Sequence, residues 1–490
     1  MSGGAAQPDG PGQARPPTSP QVLDRAIALT YVQAMLGSVY GASTGGMFLI
    51  GFALALGATD EHIGLMSTIP MLCVMVQLPT SMLVEAGLSR RRMTALAGLL
   101  NVLGWAMIIA IPYVGAGQPV AVKMGVLISI ITLVTLFAHV GGNARGSWVG
   151  DLVAEAKRGT FFGRMNMYGG IVGTIFAVIE GFFLDRIKGM GIGSFSWLFG
   201  FGMIFGLLNV ALFLPQPDLP LGFRGLGGAA HPDDGAAQRP SVRQFPRLLG
   251  KTFTNVPLLL LMLYWALWCM QGIAGPFYAT YMLRDLHMPF LHLGLINSVV
   301  TFTMLACSPF WGRMVNRYGS RPALIFGALL LGPLQAVWLP LGPAHRQAVY
   351  VLIPLANVVA GFAVAGVSVG INTLLYKLTP AWGRSVQLAV FSIVVVLLAA
   401  PMPALGGYLP GWLAGLKRFG WPVDLRWTFY ASGLAGVLAA LAGCLLVEPK
   451  ASSLKAMVAQ LPRRLRGLAR LTGRRTLAGG RAVGDWLSGR

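Results

Sequence analysis

Gln33–Tyr40 reads QAMLGSVY, and Gln271–Tyr278, far down the chain, reads QGIAGPFY. Both stretches lie inside long apolar runs, and in both a Gln and a Tyr stand at the same spacing with a Gly between them. On a helix that spacing sets the side chains along one stripe, which Thr44 continues in the first copy. A polar stripe that recurs inside apolar sequence points to a chain built from two related halves. Read outward from these stretches, the apolar runs bounded by Gly, Pro or charge cover about 27–57, 62–84, 93–114, 120–143, 166–186, 194–214, 256–283, 292–313, 322–341, 347–376, 385–409 and 427–447. Six runs, a gap and six more predict an all-α membrane protein of twelve transmembrane helices in two pseudo-symmetric six-helix bundles.

Composition agrees with that plan. Of 490 residues, 55% are hydrophobic and 11% charged, and the mean hydropathy is +0.66. A soluble domain could not turn so much apolar surface to water. A helix of ~20 apolar residues crosses a hydrocarbon core of ~30 Å, and the alternating pattern of a membrane barrel does not occur. The four cysteines, Cys73, Cys269, Cys307 and Cys444, sit in apolar runs as small hydrophobes and frame neither a disulfide set nor a metal site. No cofactor is implied.

The expected domains are a disordered cytoplasmic leader (1–24), an N-terminal bundle (25–215), a cytoplasmic linker (216–255), a C-terminal bundle (256–450) and a basic tail (451–490). The linker is polar and rich in Pro and Gly, PQPDLPLGFRGLGGAAHPDDGAAQRPS, and its end, SVRQFPRLLGKTF, has the pattern of a short helix on a lipid surface. The formal charge of +21 lies in loops and tails, which argues against a nucleic-acid partner. In the tail, Arg463, Arg464, Arg466, Arg470, Arg474 and Arg475 alternate with leucines, a pattern suited to anionic lipid headgroups. Basic residues also set the orientation. Arg90, Arg91, Arg92, Arg145, Lys157, Arg158, Arg164, Arg313, Arg317, Arg321, Lys377 and Arg384 outnumber the cations of the opposite loops, so their side and both termini are read as cytoplasmic.

A second echo supports duplication: DLVAEAKRG after the fourth run aligns with KLTPAWGRS after the tenth, matching Arg158 with Arg384. The 6+6 plan, the central linker and GRMVNRYGSR (Gly312–Arg321) together resemble the major facilitator superfamily of secondary transporters, over about residues 25–450. In that family's loop signature Gly312, Arg317, Gly319 and Arg321 match, while Asn316 stands for the acid and Ser320 for one base. The corresponding N-terminal loop, SMLVEAGLSRRR, offers Glu85 as acid and Arg90 to Arg92 as bases. SWVGDLVAEAKRGTFFGR, after the fourth run, resembles a signature of a bacterial subgroup. The resemblance implies that the first helix of each half lines a central substrate cavity. It also implies that inner-loop charges, here Asp151, Arg158 and Arg164 with the basic loops, hold one conformation closed. Positive-inside retention and helix-end capping would account for the same charges.

An amide or hydroxyl facing lipid has no partner, so mid-helix polar groups should turn inward. The candidate substrate contacts are Gln33, Gly37, Tyr40, Thr44, Tyr264, Trp268, Gln271, Gly275, Tyr278 and Asn297. Helix–helix hydrogen bonds and close packing would explain the same residues without a substrate. Two groups inside spans can carry a proton, Glu180 and His139. Counting along the helix puts Glu180 in its outer half, near Asp185 and Arg186, where snorkelling or a structural ion pair would also explain it. His139 reads equally as a structural, hydrogen-bonded histidine.

No enzyme signature is found. GKT at Gly250–Thr252 lacks the first glycine and the strand of a phosphate loop, and neither HExxH nor CxxC occurs. The sequence therefore predicts a secondary transporter of a small neutral or amphiphilic solute, sugar-like or drug-like. Proton coupling competes with facilitated diffusion, and a non-transporting membrane scaffold, receptor or assembly factor of the same fold is the alternative.

Overall fold

A computed structural model describes residues 20–85, 87–153, 155–218, 250, 252–338, 340–342, 345–379, 384–414, 424–449 and 451–460. Residues 1–19 of the expected leader, most of the linker with its surface helix, and the arginines of the tail lie outside the described residues; Pro20–Asp24, expected in the disordered leader, instead begin the first helix, because Leu23 packs into the core. Among the described residues the chain is helical, with twelve segments long and apolar enough to cross a membrane. They are α1 (Gln21–Ala55), α2 (Asp60–Val84), α3 (Arg90–Val114), α4 (Val120–Val149), α5 (Phe161–Met190) and α6 (Gly193–Ala211), then α7 (Val256–Asp285), α8 (Phe290–Tyr318), α9 (Ser320–Trp338), α10 (Gln347–Leu378), α11 (Val390–Ala414) and α12 (Arg426–Leu445). Large apolar side chains such as Leu96, Met107, Ile204, Leu355 and Trp412 are exposed, as lipid-facing positions require. The protein is a multi-pass membrane protein.

The chain forms two compact units. The first holds Met1–Leu56 and Cys73–Ala236, the second Gly57–Leu72 and Ala237–Arg490. The opening part of α2, Asp60–Leu72, therefore belongs with the second unit, where Thr68 accepts the Ala404 N–H at 2.9 Å and Asp60 pairs with Arg284 at 2.7 Å. In the first unit a core of Leu23, Ala26, Trp148, Leu152, Phe161 and Phe213 joins α1, α4, α5 and the residues after α6. In the second, Leu258, Leu261, Tyr264, Leu324, Ile371, Phe391 and Ala440 do the same for α7, α9, α10, α11 and α12.

Several segments are interrupted where the sequence forces it. In α1 a regular helix runs Pro20–Thr44 and resumes at Gly46, whose φ of +53° suits glycine. In α7 an α-helix over Val256–Cys269 tightens to a 3₁₀ turn at Met270–Ala274, restarts at Gly275–Thr280 and ends in a π turn at Tyr281–Asp285. Pro276 lacks the N–H that would bond back one turn, so the helix breaks just before it. α4 runs beyond the end set by its apolar run. The helix continues to Leu152 because Arg is a good helix former, so Arg145, expected in the loop, stands inside the span.

Candidate functional site

The stripe on α1 lies along a cavity of about 510 Å³ in the first unit, lined by Gln33, Gly37, Ser38, Tyr40, Arg145 and Asn166 among others. Gln33 is fully buried; its Nε2 donates to the Asn209 carbonyl at 3.3 Å, and its Oε1 accepts from Gln216 Nε2 at 3.1 Å. Gly37 is packed on Asn209, whose Nδ2 would lie 2.9 Å from an added Cβ. The Tyr40 hydroxyl donates to Asn101 Oδ1 on α3 at 2.7 Å, and Asn101 Nδ2 donates in turn to the Val134 carbonyl on α4 at 2.8 Å. The Tyr40 ring lies against Gly206 of α6, where an added Cβ would stand 3.0 Å from it, so a glycine is needed for that approach. Thr44 is buried and donates to the Tyr40 carbonyl of its own helix at 2.6 Å, which keeps it off the cavity wall.

The second unit has its own cavity, about 240 Å³, whose wall includes Tyr278, Met282, Asn297, Gln335, Trp338 and Asn357. Here the Tyr278 hydroxyl donates to Gln335 Oε1 on α9 at 2.6 Å, and its ring stacks on Phe429 with centroids 4.8 Å apart and planes 9° from parallel. The other α7 candidates lie elsewhere. Tyr264 is enclosed in the core with its hydroxyl on the Leu324 carbonyl at 2.9 Å, so it packs α7 to α9. Trp268 stacks on Trp265 beside that core. Gln271 donates to the Trp268 carbonyl within its own turn at 3.2 Å, its Oε1 is buried without a partner, and Gly275 is exposed. None of these four lines the second unit's cavity.

Glu180 shows neither snorkelling nor an ion pair. It is 2% exposed, accepts from the Ser43 hydroxyl of α1 at 2.6 Å, and leaves Oε2 without a partner. Arg186 instead lies over the Phe182 ring at 4.9 Å. Between α2 and α4, His139 Nδ1 meets Gln77 Nε2 at 3.2 Å, beside Asn143, which donates to the Gln77 carbonyl and to Ser81 Oγ, both at 2.9 Å.

Of the loop candidates, Arg90 is buried and donates to Ser147 Oγ at 3.1 Å, while Arg164, Asn316 and Arg317 are exposed, Arg317 over the Tyr318 ring. Gly312 is half-buried. Gly319 ends α8 with φ +94°, a conformation that favours glycine. Arg321 gives its backbone N–H to Glu448 Oε2 at 2.7 Å and its Nη2 to the Cys444 carbonyl at 2.6 Å, and Lys377 pairs with Glu448 Oε1 at 2.8 Å. The side chains of Glu85, Asp151, Arg158 and Arg384 lie outside the described residues.

The sequence reading missed the partners: Asn101, Gln335, Asn209 and Gln216 complete the amide network, Ser43 meets Glu180, and Glu448 gathers three helix ends. A mid-helix amide was available as a signal for Asn101 and Gln335, the same signal that selected Gln33.

A family model described as Major Facilitator Superfamily matches residues 260–486. A stretch of 183 residues is 22% identical to the quinolone resistance protein NorA of Staphylococcus aureus and covers 37% of this chain and 42% of that protein, so the match spans less than half of the relative's length. Among solved structures, a mutant of the nucleoside transporter NupG gives a TM-score of 0.64 at 13% identity, covering 86% of this chain and 100% of that one. The xylose transporter XylE of E. coli, in an inward open conformation, gives 0.63 at 16%, covering 89% and 99%. At these identities the structural likeness is one of fold, that of twelve-helix transporters, and the family match covers the second half of the chain, from within α7 onward.

Proposed function

We propose that the chain is a secondary carrier that moves a small amphiphilic solute across a bacterial inner membrane by alternating access, with both termini in the cytoplasm. One observation carries the reading. Each unit sets a tyrosine from its first helix on a cavity wall and ties its hydroxyl to an amide of its third helix, Tyr40 to Asn101 and Tyr278 to Gln335. Aromatic faces beside amides suit a solute with an apolar body and a polar group, sugar-like or drug-like. A scaffold would use the bond between the helices but has no need of the cavity beside it in both units.

Glu180 is the group we assign to proton coupling, in preference to His139. An enclosed carboxyl whose one partner is a neutral hydroxyl on α1 links its own protonation to the packing of the helix that bears Tyr40. His139 is engaged by Gln77 away from that stripe. The inner-loop charges, including Arg90 and Arg321, are assigned to holding one conformation. Charge-assisted hydrogen bonds of ~1.5–3 kcal/mol are the right size to bias such an equilibrium.

The test is flux in proteoliposomes against a panel of sugars, drugs and lipids. At least one solute should be moved by the protein, and replacing both tyrosines by Phe should slow its flux about tenfold or more while the protein stays folded. If folded protein moves nothing in the panel, the scaffold reading takes its place. Glu180→Gln should remove the response of flux to an imposed proton gradient; an unaltered response would take Glu180 out of the coupling.

A further inference from the structure

The first unit's larger cavity carries one charged side chain among the described residues. Arg145 stands on α4 about two turns before that helix ends at Leu152. With Tyr40 and Asn209 it belongs to the walls of both that cavity and an adjoining one of about 180 Å³, so these three side chains form the partition between them. Among the described residues no acidic side chain lines either space. The guanidinium lies 5.9 Å over the Phe213 ring, and its Nη2 is enclosed without a hydrogen-bond partner. Asn209 Oδ1, beside it in both walls, is likewise without one.

A guanidinium carries five donors and keeps its charge in any protein environment. Withdrawn from water without a counter-charge, it is costly to the folded chain. An arginine kept for topology alone would extend its head past the end of the helix into the headgroup layer, as long basic side chains do. Arg145 instead turns its head against Phe213 and the cavity wall. The feature that answers such a group is a planar or tetrahedral anion, which the guanidinium binds through paired, charge-assisted hydrogen bonds.

We propose that the first unit's cavity binds an anionic group of the solute, a carboxylate or a phosphate, on Arg145, with Ser38, Asn166 and Asn209 as neutral neighbours. The occupant is a free small organic anion rather than a lipid headgroup, since a space of about 510 Å³ matches pockets for single small ligands. The proposal deepens the carrier reading by fixing the charge of the solute, and rests on it only for the step of transport.

The experiment is thermal unfolding of the full chain in neutral detergent with matched pairs of probes: hexanoate and hexanamide, benzoate and benzamide, glucose 6-phosphate and glucose, with added phosphatidylglycerol as the lipid arm. At least one free anion should raise the midpoint where its uncharged partner does not. In Arg145→Gln that anion should bind about tenfold more weakly or worse, while Arg145→Lys, which keeps the charge, should retain part of the effect. The unliganded midpoint and a monodisperse elution profile show whether each variant is folded. No discrimination between anion and uncharged partner, an equal shift in folded Arg145→Gln, or a shift from phosphatidylglycerol alone overturns the proposal. Counterflow in proteoliposomes separates the two claims. Binding without movement leaves the anion site standing and removes the carrier, whereas movement of an uncharged solute at the wild-type rate by Arg145→Gln does the reverse.

Discussion

Gln33–Tyr40 and Gln271–Tyr278 share a Gln, a Gly and a Tyr at the same spacing and end as different structures. The first lies on an unbroken helix, Pro20–Thr44, and its glutamine faces a cavity while bonding the Asn209 carbonyl and Gln216. The second contains Gly275–Pro276, and its helix breaks at Met270–Ala274, where the glutamine sits. Gln271 bonds only its own turn among its side-chain contacts, and its backbone carbonyl accepts from Ser432 of α12 at 3.0 Å. The tyrosines stay equivalent, each reaching an amide oxygen on the third helix of its unit. Between the two stretches, then, the phenol–amide pair is the feature common to both units, and the glutamine is common in sequence alone.

The glutamines offer the sharpest way to break that comparison. Gln33→Ala strips a buried acceptor from Gln216 and a donor from the Asn209 carbonyl, so it should destabilise the protein by about 1–3 kcal/mol. Gln271→Ala loses one bond within a turn and relieves an unpartnered oxygen, so its effect should stay within about 0.5 kcal/mol. Equal losses in thermal unfolding of the detergent-purified variants would restore the symmetry denied above. The tyrosines come next. Tyr40→Phe and Tyr278→Phe should each cost about 1 kcal/mol, and the two values should agree closely, since each leaves one amide oxygen without its donor. A large inequality would mean that only one pair is a shared feature. Smallest is Asp60→Asn in the second unit. Its pairing with Arg284 is part-exposed, so stability should fall by less than about 1 kcal/mol, with the loss shrinking as salt is added.

Twelve helices were legible because a helix that crosses hydrocarbon must be apolar for its whole length, and the runs show it directly. Side-chain partners were not, since periodicity describes one helix and carries no distance to another. Tyr264 shares the stripe of Gln271 yet serves the core, and only the position of the Leu324 carbonyl decides that. Arg145 was misplaced for a related reason. A charge near the end of an apolar run reads as the boundary of the span, although the helix passes through it and the boundary lies at Leu152. Glu180 was correctly singled out as an acid inside a span, but its neighbour Ser43 lies on α1, so the sequence could not choose between lipid interface, ion pair and buried hydrogen bond. The broken geometry of α7 was within reach, because Gly275–Pro276 states it locally.

Glu448 is nearly enclosed, and its two oxygens fasten the turn between α8 and α9 through Arg321 and the end of α10 through Lys377 to the end of α12. A single carboxylate shared in this way ties those three helix ends to one another. Bending of the second unit is then easiest away from that tie, where the interrupted turns of α7 have fewer regular backbone hydrogen bonds to break.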